Sequence, residues 1–376
     1  MLVVVALSGG VDSSVAAALL RAEGHDVVGV TMQIWPDEGP ERSERHGGCC
    51  AMGAVRDARA VAERLDIPYY VFQMREEFER HVIAQFAAAY AAGRTPNPCV
   101  ACNEHIKFRA LLEKARRLGA DALATGHYAR LAPGPDGSGR LLRGADPRKD
   151  QSYVLYPLRR EDLGYLRFPT GGMDKAAVRQ EARRWGLAVA DKPDSQEICF
   201  TDAEGYAGVV ARREPGAVRP GPMVDAGGRV LGQHRGLAHY TVGQRRGLGL
   251  SGPEPWFVAE IDAGRNTLIL GRADELYACG CTVVRPNWLV PDPPAPGTRL
   301  TARVRSGPSE HAAVVVSTGP EAFELEFPEP VRAVTPGQAC VLYRGEEVQG
   351  GGEIQTVYRG ASQRVVCSTT QDPSTN

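Results

Sequence analysis

The stretch LVVVALSGGVDSSVAAALL, residues 2–20, joins an apolar run, two glycines and a helical pattern in direct succession. The uninterrupted β-branched run predicts a strand that is buried on both faces of a parallel sheet. Backbone amides of the glycine loop, together with the positive end of the following helix dipole, suit a bound phosphate. A tight turn that uses glycine for a positive φ is the alternative interpretation of the Gly-Gly pair.

The alternation of strand and helix continues to about residue 205. Further buried strands are predicted for HDVVGVTM (25–32), IPYYVF (67–72) and ADALATGHY (120–128). Between the last two, IKFRALLEKARRLG (106–119) has the apolar spacing of one helix face, and Gly119 is placed to cap it. Strands and helices in alternation predict an α/β fold with a doubly wound parallel sheet.

The pattern changes after residue 205. Helical periodicity disappears, Gly and Pro become dense, and short β-branched runs such as those at 256–271, 312–318 and 339–345 have the spacing of antiparallel strands. The Pro-rich segment VPDPPAPG (290–297) predicts a joint between two small β domains. The second half of the chain is therefore expected to be β-rich.

Composition is that of an ordinary globular protein. Of 376 residues, 43% are hydrophobic and 24% charged, and the formal net charge is -1. A near-neutral chain lacks the overall basic signature of nucleic-acid binders, so any RNA contact must come from local clusters. The apolar start has no basic flank, and no run approaches the roughly 18 apolar residues of a membrane span. A cytoplasmic location without a membrane partner is expected.

Nine cysteines, an odd number, argue against a structural disulfide framework. The segment NPCVACN (97–103) places Cys99 and Cys102 in a CxxC pair, a spacing used for metal binding, thiol-disulfide exchange or a single nucleophile. A structural zinc site would need a second such pair, and the chain has none. Two interpretations remain open. One is a nucleophile pair of Cys102 and the distant Cys199, and the other an iron-sulfur cluster held by Cys99, Cys102 and Cys199.

The glycine loop is not of the Walker A type, because no lysine follows its glycines. Its residues SGGVDS (8–13) resemble the pyrophosphate loop of the ATP pyrophosphatases, which split ATP into AMP and pyrophosphate. In that superfamily the loop holds the β and γ phosphates. The resemblance also implies that Asp12 helps to hold Mg²⁺.

Six further segments extend the resemblance over most of the chain. They are GRTPNPCVACNEHIKF (93–108), ATGHYAR (124–130), RKDQSYVLY (148–156), DKPDSQEICF (191–200), YTVGQRRGLG (240–249) and TPGQACVLY (335–343). Together with the loop they are similar to the tRNA-specific 2-thiouridylases. That family implies an ATP pyrophosphatase catalytic domain (1–205), a small central β-rich domain (206–280) and a C-terminal β barrel (281–362), with a flexible tail at 363–376.

The resemblance also implies a role for each matching residue. Cys102 takes the place of the catalytic nucleophile and Cys199 that of the persulfide carrier, with a transient disulfide between them. The ATP-binding residues would be Ala6, Leu7, Ser8, Gly9, Gly10, Val11, Asp12, Ser13, Met32 and Gly126. Asn97, Pro98 and Cys99 would surround the target uridine. Contacts to tRNA would come from His127, Lys149, Asp150, Gln151, Arg305, Ser306 and Gln338.

Two positions depart from the family pattern. Some members have Asp where this chain has Cys99, and a thiol with a pKa near ~8.5 is a poorer base at neutral pH. The Arg-Tyr pair of the barrel appears here as Arg305 and Ser306, which removes a surface on which a base could stack. The role of Cys99 and the contact at Ser306 therefore stay open.

The reaction implied by the resemblance is ATP-dependent 2-thiolation of the wobble uridine of tRNA. It would proceed through an adenylated base and a cysteine persulfide, giving 2-thiouridine, AMP and pyrophosphate. The implied partners are tRNA and a cysteine desulfurase or sulfur-relay protein as sulfur donor. Two other classes of protein are alternatives: an amide ligase with the same ATP loop, which would not need paired cysteines, and a non-catalytic tRNA-binding protein, which would not consume ATP.

Overall fold

The computed structural model describes residues 1–34, 52–134, 137–194, 198–201 and 205–359. Its first sheet has five parallel strands in the order β3-β2-β1-β4-β7. They are β1 (Leu2–Ala6), β2 (Asp26–Gln33), β3 (Tyr69–Gln73), β4 (Ala122–Ala124) and β7 (Leu166–Arg167). The strands predicted at 2–7, 25–32 and 67–72 are confirmed. The strand predicted at 120–128 is shorter, because the chain leaves the sheet after Ala124.

Helices cover both faces of this sheet. Val3 and Val5 of β1 point to a core shared with α1 (Val11–Ala22), α2 (Met52–Leu65) and α5 (Lys175–Arg184). Val4 and Ala6 point to the opposite core, shared with α3 (75–91) and α4 (98–117). Successive side chains of a strand point to opposite faces of the sheet. A strand that is apolar at every position must therefore be covered by helices on both faces. The predicted doubly wound α/β fold is confirmed.

The two helices on the second face each contain a π-helical stretch. In α3 the order is α-helical Arg75–Phe78, π-helical Glu79–Ile83 and α-helical Ala84–Ala91. In α4 it is α-helical Pro98–Ala101, π-helical Cys102–Leu111 and α-helical Leu112–Arg117. The two π-helical stretches contact each other. π-Helical stretches are rare in proteins, and those that occur are frequently at functional sites. The pair α3 and α4 is therefore a candidate for part of the functional site.

A small mixed sheet follows, with strand order β10-β11-β8-β9. Its strands are β8 (Gly221–Asp225), β9 (Val230–His234), β10 (Phe257–Asp262) and β11 (Thr267–Gly271). The pair β10 and β11 runs antiparallel, as predicted for residues 256–271, whereas β11 and β8 run parallel. Short 3-10 helices lie at Ser152–Leu155, Arg160–Tyr165, Pro169–Gly172, Pro215–Val218, Leu237–His239 and Asp274–Leu276.

The last sheet closes into a six-stranded barrel in the order β12-β15-β14-β13-β16-β17, with β17 pairing back onto β12. The strands are β12 (Tyr277–Trp288), β13 (Arg299–Arg303), β14 (His311–Thr318), β15 (Ala322–Arg332), β16 (Ala339–Arg344) and β17 (Glu347–Tyr358). A hairpin from the first half of the chain, β5 (Ala129–Pro133) and β6 (Gly139–Arg143), adds to the outer edge of β17. The predicted C-terminal β barrel is confirmed.

Two predictions about the second half were wrong. A helix, α6 (Gly205–Arg213), follows residue 205, and its Ala207, Val209 and Val210 are buried. The Pro-rich segment 290–297 does not join two domains; it connects β12 to β13 inside the barrel, where the Pro294 carbonyl accepts a hydrogen bond from the Thr318 hydroxyl at 2.8 Å. Cys49, Cys50, Cys367 and the predicted tail 363–376 lie outside the described residues.

No helix in the described part of the chain is long and apolar enough to cross a membrane.

The barrel is joined to the first domain by a buried ion pair. Arg303 of β13 donates to Asp150 at 2.6 Å, and their side chains are only 6% and 1% exposed. Arg303 also donates to Glu310 at 2.8 and 3.1 Å, while Asp150 accepts from the Gly144 and Ser152 amides and the Ser152 hydroxyl. A buried charge pair whose remaining hydrogen bonds are satisfied fixes the relative position of the two parts it joins. Loss of one partner would leave the other charge buried without a counter-charge.

Replacing Arg303 with Met should therefore destabilise the protein by about 3–5 kcal/mol, because Asp150 is left buried without its cation. Arg183→Met is the matched control: the Arg183–Asp191 pair is 59% and 79% exposed, and its loss should cost less than about 1 kcal/mol. Urea unfolding followed by fluorescence measures both. Equal midpoints for the two variants would contradict the structural role of the buried pair.

Candidate active site

The first sheet has a crevice where its strand order reverses. The chain runs outward from β1 to β3 and then returns to β4 on the other side of β1. Connections after β1 and β4 therefore leave in opposite directions, and ligands of such sheets bind between them at the carboxyl ends of the strands. Residues 7–10 leave β1 at this point, and residues 125–128 leave β4 beside them.

The loop after β1 is tightly fixed. Gly9 has φ of +65°, and a Cβ there would lie 2.3 Å from the Ala54 carbonyl oxygen of α2, so no other residue fits. Gly10 precedes α1 and provides no side-chain cap. Ser13 accepts a hydrogen bond from the Ser8 amide at 3.1 Å, and Ser14 donates to the Gly10 carbonyl at 2.8 Å. The loop presents the start of a helix of 12 residues, where the dipole favours an anion.

The loop after β4 packs against the first turn of α1. A Cβ on Gly126 would lie 2.5 Å from both the Asp12 carbonyl carbon and the Ser13 nitrogen. Met32 is buried near the carboxyl end of the neighbouring strand β2. The structure thus brings the residues predicted to bind ATP, Ala6 to Ser13, Met32 and Gly126, to one edge of the sheet. The close approach alone explains why residue 126 is glycine.

Asp12 is the centre of a charged network. It accepts a hydrogen bond from the Tyr128 hydroxyl at 2.6 Å and two from the Lys175 ammonium at 2.8 and 2.9 Å. Burial, and then the hydrogen bond to Asp12, raise the pKa of Tyr128 far above its ordinary value, so the hydroxyl keeps its proton. Lys175 is the first residue of α5, and α5 packs against α1, which is why its ammonium reaches Asp12.

Lys175 also contacts the segment 191–194, which precedes Cys199 in the chain. Lys175 lies 2.7 Å from Asp194, which also pairs with Lys149 at 2.8 Å. Partial burial alone would raise the pKa of Asp194, but the hydrogen bonds from Lys149 and Lys175 outweigh it and hold that pKa below its usual value. Lys192 donates to the Gly9 carbonyl at 2.9 Å and to Asp57 at 2.6 Å.

Cys102 belongs to a helix whose start is well defined. The Asn97 side chain caps α4 by accepting a hydrogen bond from the Cys99 amide at 3.0 Å, and Pro98 takes the first helical position. Cys99 is exposed, while Cys102 is half-buried and begins the π-helical stretch. The helix thus starts eight residues before the predicted Ile106, because the proline and cap lie further upstream.

Cys199 is positioned by its neighbour Phe200. The Phe200 ring is buried and packs edge-to-face against Phe86 at 5.1 Å and Phe78 at 5.9 Å, both on α3. Helix α3 also contacts α4, which carries Cys102. Cys102 and Cys199 are both half-buried and pack against the same apolar core. Two cysteines far apart in the sequence therefore lie on the same side of the first sheet.

The barrel holds the loop in front of Asn97. Gln338 donates to the Thr95 carbonyl at 2.7 Å, and the Thr95 amide donates to the Pro336 carbonyl at 3.0 Å. Arg94 pairs with Glu353 of β17 at 3.0 Å. Arg305 donates to the carbonyls of Arg332 and Ala333 at 2.8 and 3.2 Å, and Ser306 is exposed beside it. Gln338 thus positions the loop that leads to Asn97, the first of the residues predicted to surround the target base.

Like Arg305 and Gln338, further residues predicted to contact tRNA make internal contacts. His127 is buried, its Nδ1 lies 2.7 Å from the Thr125 hydroxyl, and burial followed by nearby Lys107 holds its pKa well below the usual value. Asp150 is paired with Arg303, and Gln151 accepts from the Tyr128 amide at 3.0 Å. Lys149 is half-buried and pairs with Asp194 at 2.8 Å, whereas Gln151 and Ser306 are exposed. All tRNA contacts remain predictions.

The described cysteines Cys99, Cys102 and Cys199 are not part of a metal-binding cluster of described side chains. Among the described residues, which include Cys99, Cys102 and Cys199, no three His, Cys, Asp or Glu side chains are gathered so that they could hold a metal ion. An iron-sulfur cluster needs three or four cysteine ligands around it. The arrangement therefore does not supply the ligand set of the alternative interpretation.

Comparison with known proteins gives the same picture over the full chain. The tRNA methyl transferase HUP domain family matches residues 1–203, the tRNA methyl transferase PRC-barrel domain family 213–272 and the aminomethyltransferase beta-barrel domain family 279–354. A protein named tRNA-specific 2-thiouridylase MnmA in Symbiobacterium thermophilum is 48% identical over 94% of this chain and 92% of its own length. Those of Carboxydothermus hydrogenoformans and Chloroflexus aurantiacus are 49% and 50% identical, covering 94% of this chain and 97% and 98% of theirs.

The chain belongs to the tRNA-specific 2-thiouridylase family. The resemblance found in the sequence motifs is thereby confirmed. As in the matching 2-thiouridylase domains, a parallel-sheet domain is followed by a small central β domain and a closed barrel.

Four polar residues of this candidate site were not predicted from the sequence: Tyr128, Lys175, Lys192 and Asp194. Tyr128, Lys192 and Asp194 lie inside the family motifs ATGHYAR and DKPDSQEICF, so their place in these motifs could have indicated that they belong to the site. Lys175 lies outside every motif, and only the packing of α5 against α1 brings it to Asp12.

A Gly126→Ala variant should bind ATP more weakly by on the order of 10- to 100-fold, because the added methyl must push the first turn of α1 away. Gly164→Ala is the matched control, since a Cβ at Gly164 meets no atom within 4 Å. Isothermal titration calorimetry with ATP measures both variants. Unchanged ATP affinity in Gly126→Ala would show that the crevice is not where the nucleotide binds.

Proposed function

We propose that this chain 2-thiolates the wobble uridine of tRNA, using ATP to activate the base and a cysteine persulfide to supply the sulfur. The observation that carries the proposal is a set of contacts between the phosphate loop and the segment that precedes Cys199. Lys192 and Asp194, on the segment that leads to Cys199, bond to the phosphate loop and to the Lys175–Asp12 pair. Membership of the 2-thiouridylase family supports the choice of tRNA as substrate.

ATP would bind with its phosphates on residues 8–13 and its adenosine near Met32 and Gly126. The Asp12 carboxylate, about one third exposed at the mouth of the loop, fits as one oxygen ligand of a Mg²⁺ ion whose other ligands are phosphate oxygens. Bound there, Mg²⁺ would neutralise phosphate charge. Helix α1 directs its amino end at the same phosphates.

The base must be activated before sulfur can enter, because the oxygen on uridine C2 is a poor leaving group. In the adenylation step that oxygen forms a bond to the α phosphorus, the bond from the α phosphorus to the bridging oxygen of pyrophosphate breaks, and N3 of the base loses its proton. The uridine must first leave the anticodon stack, at a cost of a few kcal/mol. Asn97, Pro98 and Cys99, at the start of α4 directly after the loop that Gln338 positions, would receive it.

Sulfur would arrive as a persulfide on Cys199, delivered by a cysteine desulfurase or a sulfur-relay protein. The Cys102 thiolate attacks the inner sulfur, forms a disulfide with Cys199 and releases hydrosulfide. Hydrosulfide attacks C2, the bond between C2 and the activated oxygen breaks, and AMP leaves. A dithiol reductant then returns the two cysteines to thiols. In the alternative route the terminal sulfur attacks C2 directly and Cys102 resolves the adduct.

Cys102→Ser and Cys199→Ser should each lower tRNA thiolation at least about 1000-fold, because either loss removes the sulfur transfer, while ATP-dependent pyrophosphate release continues. Cys279→Ser is the matched control, since Cys279 is a half-buried cysteine of the barrel strand β12 and should be dispensable. Incorporation of labelled sulfur from a persulfide donor into tRNA measures all three.

Full thiolation by Cys199→Ser would contradict the persulfide role. Full thiolation by Cys102→Ser would contradict its role as nucleophile. Retained pyrophosphate release with tRNA but no sulfur incorporation by any variant, the unaltered protein included, would favour an amide ligase or another adenylating enzyme.

A further inference from the structure

The phosphate loop lacks a cation of its own. Residues 8–13 contain no lysine or arginine, in contrast to a Walker A loop, whose lysine reaches the β and γ phosphates. Pyrophosphate leaving from ATP carries several negative charges, and backbone amides with half a helix-dipole charge neutralise only part of them. Cationic side chains from elsewhere in the fold would therefore add to the charge that Mg²⁺ supplies if the loop holds this group.

Lys192 reaches the loop itself. Its ammonium lies 2.9 Å from the Gly9 carbonyl and 2.6 Å from Asp57 of α2, which leaves a third donor hydrogen. The backbone around it is held by Arg179, which donates to the carbonyls of Ala190 and Lys192 at 2.7 and 3.0 Å. The Lys192 side chain is 38% exposed.

Lys175 reaches the other side of the loop mouth. It bonds both oxygens of Asp12, the residue that follows the loop into α1, and also Asp194. Asp174 caps α5 by accepting from the Ala177 amide at 2.7 Å and so fixes where this lysine begins the helix. Two ammonium groups from separate elements thus converge on a loop that has none.

We propose that Lys175 and Lys192 bind the pyrophosphate part of ATP and stabilise it as the leaving group, an inference that rests on the proposed use of ATP. Carboxylates hold both ammonium groups near the loop, and phosphate oxygens take over part of their hydrogen bonds when ATP binds. The two lysines then serve the purpose that one lysine serves in a Walker A loop, but they come from two distant segments instead of the loop.

The inference predicts a difference between ligands with and without the pyrophosphate group. Lys175→Met and Lys192→Met should each weaken the binding of ATP and of inorganic pyrophosphate at least about tenfold, since each loses a charge-assisted hydrogen bond. Binding of AMP should change by less than about twofold. Isothermal titration calorimetry with ATP, pyrophosphate and AMP gives the three affinities for each variant.

Two further variants make the test specific. Lys114→Met is the matched control, because its ammonium lies over the Phe72 ring and not at the loop, and its affinities should not change. Lys192→Arg keeps the charge and should recover most of the lost pyrophosphate affinity, which misfolding would not allow. Unchanged pyrophosphate affinity in both methionine variants, or an equal loss of AMP affinity, would overturn the inference. Absence of ATP binding by the unaltered protein would contradict the proposed function itself.

Discussion

The ammonium of Lys175 between Asp12 and Asp194 is the contact on which the site depends. Through Asp12 it reaches the phosphate loop and the Tyr128 hydroxyl, and through Asp194 it reaches the segment that leads to Cys199. These groups are only partly exposed, so their interactions are less screened than those of surface pairs. The phosphate loop and the segment before Cys199, which we propose to activate the base and to deliver the sulfur, are thereby connected through one lysine.

A second unit is formed by the barrel and the first domain. Asp150 and Arg303 pair in the interior, Gln338 bonds the Thr95 carbonyl, and β5 and β6 extend the sheet of the barrel. Three independent contacts between the same two parts restrict their relative motion. The loop before Asn97 is consequently positioned by the barrel, so a change in the barrel can shift Asn97 without touching Cys102 or Cys199.

The features that could be predicted from the sequence are those that depend on residues close together in the chain. The strand, glycine loop and helix at 2–20 are adjacent in the chain. The start of α4 was not predicted, because its cap at Asn97 lies nine residues before Ile106, where the apolar pattern begins. Helix α6 was missed because its sequence GYAGVVARR has two glycines and two valines and poor helix propensity; burial of Val209 and Val210 stabilises it. The role of Lys175 and the internal position of Asp150 depend on long-range packing, which no local pattern contains.

The most direct test of the account is mass spectrometry of an unmodified tRNA after incubation with this protein, a persulfide donor and ATP. The account predicts the exchange of one oxygen for one sulfur, located on the wobble uridine and absent when ATP is omitted. An unchanged wobble uridine in tRNA that is bound while ATP is consumed would contradict it.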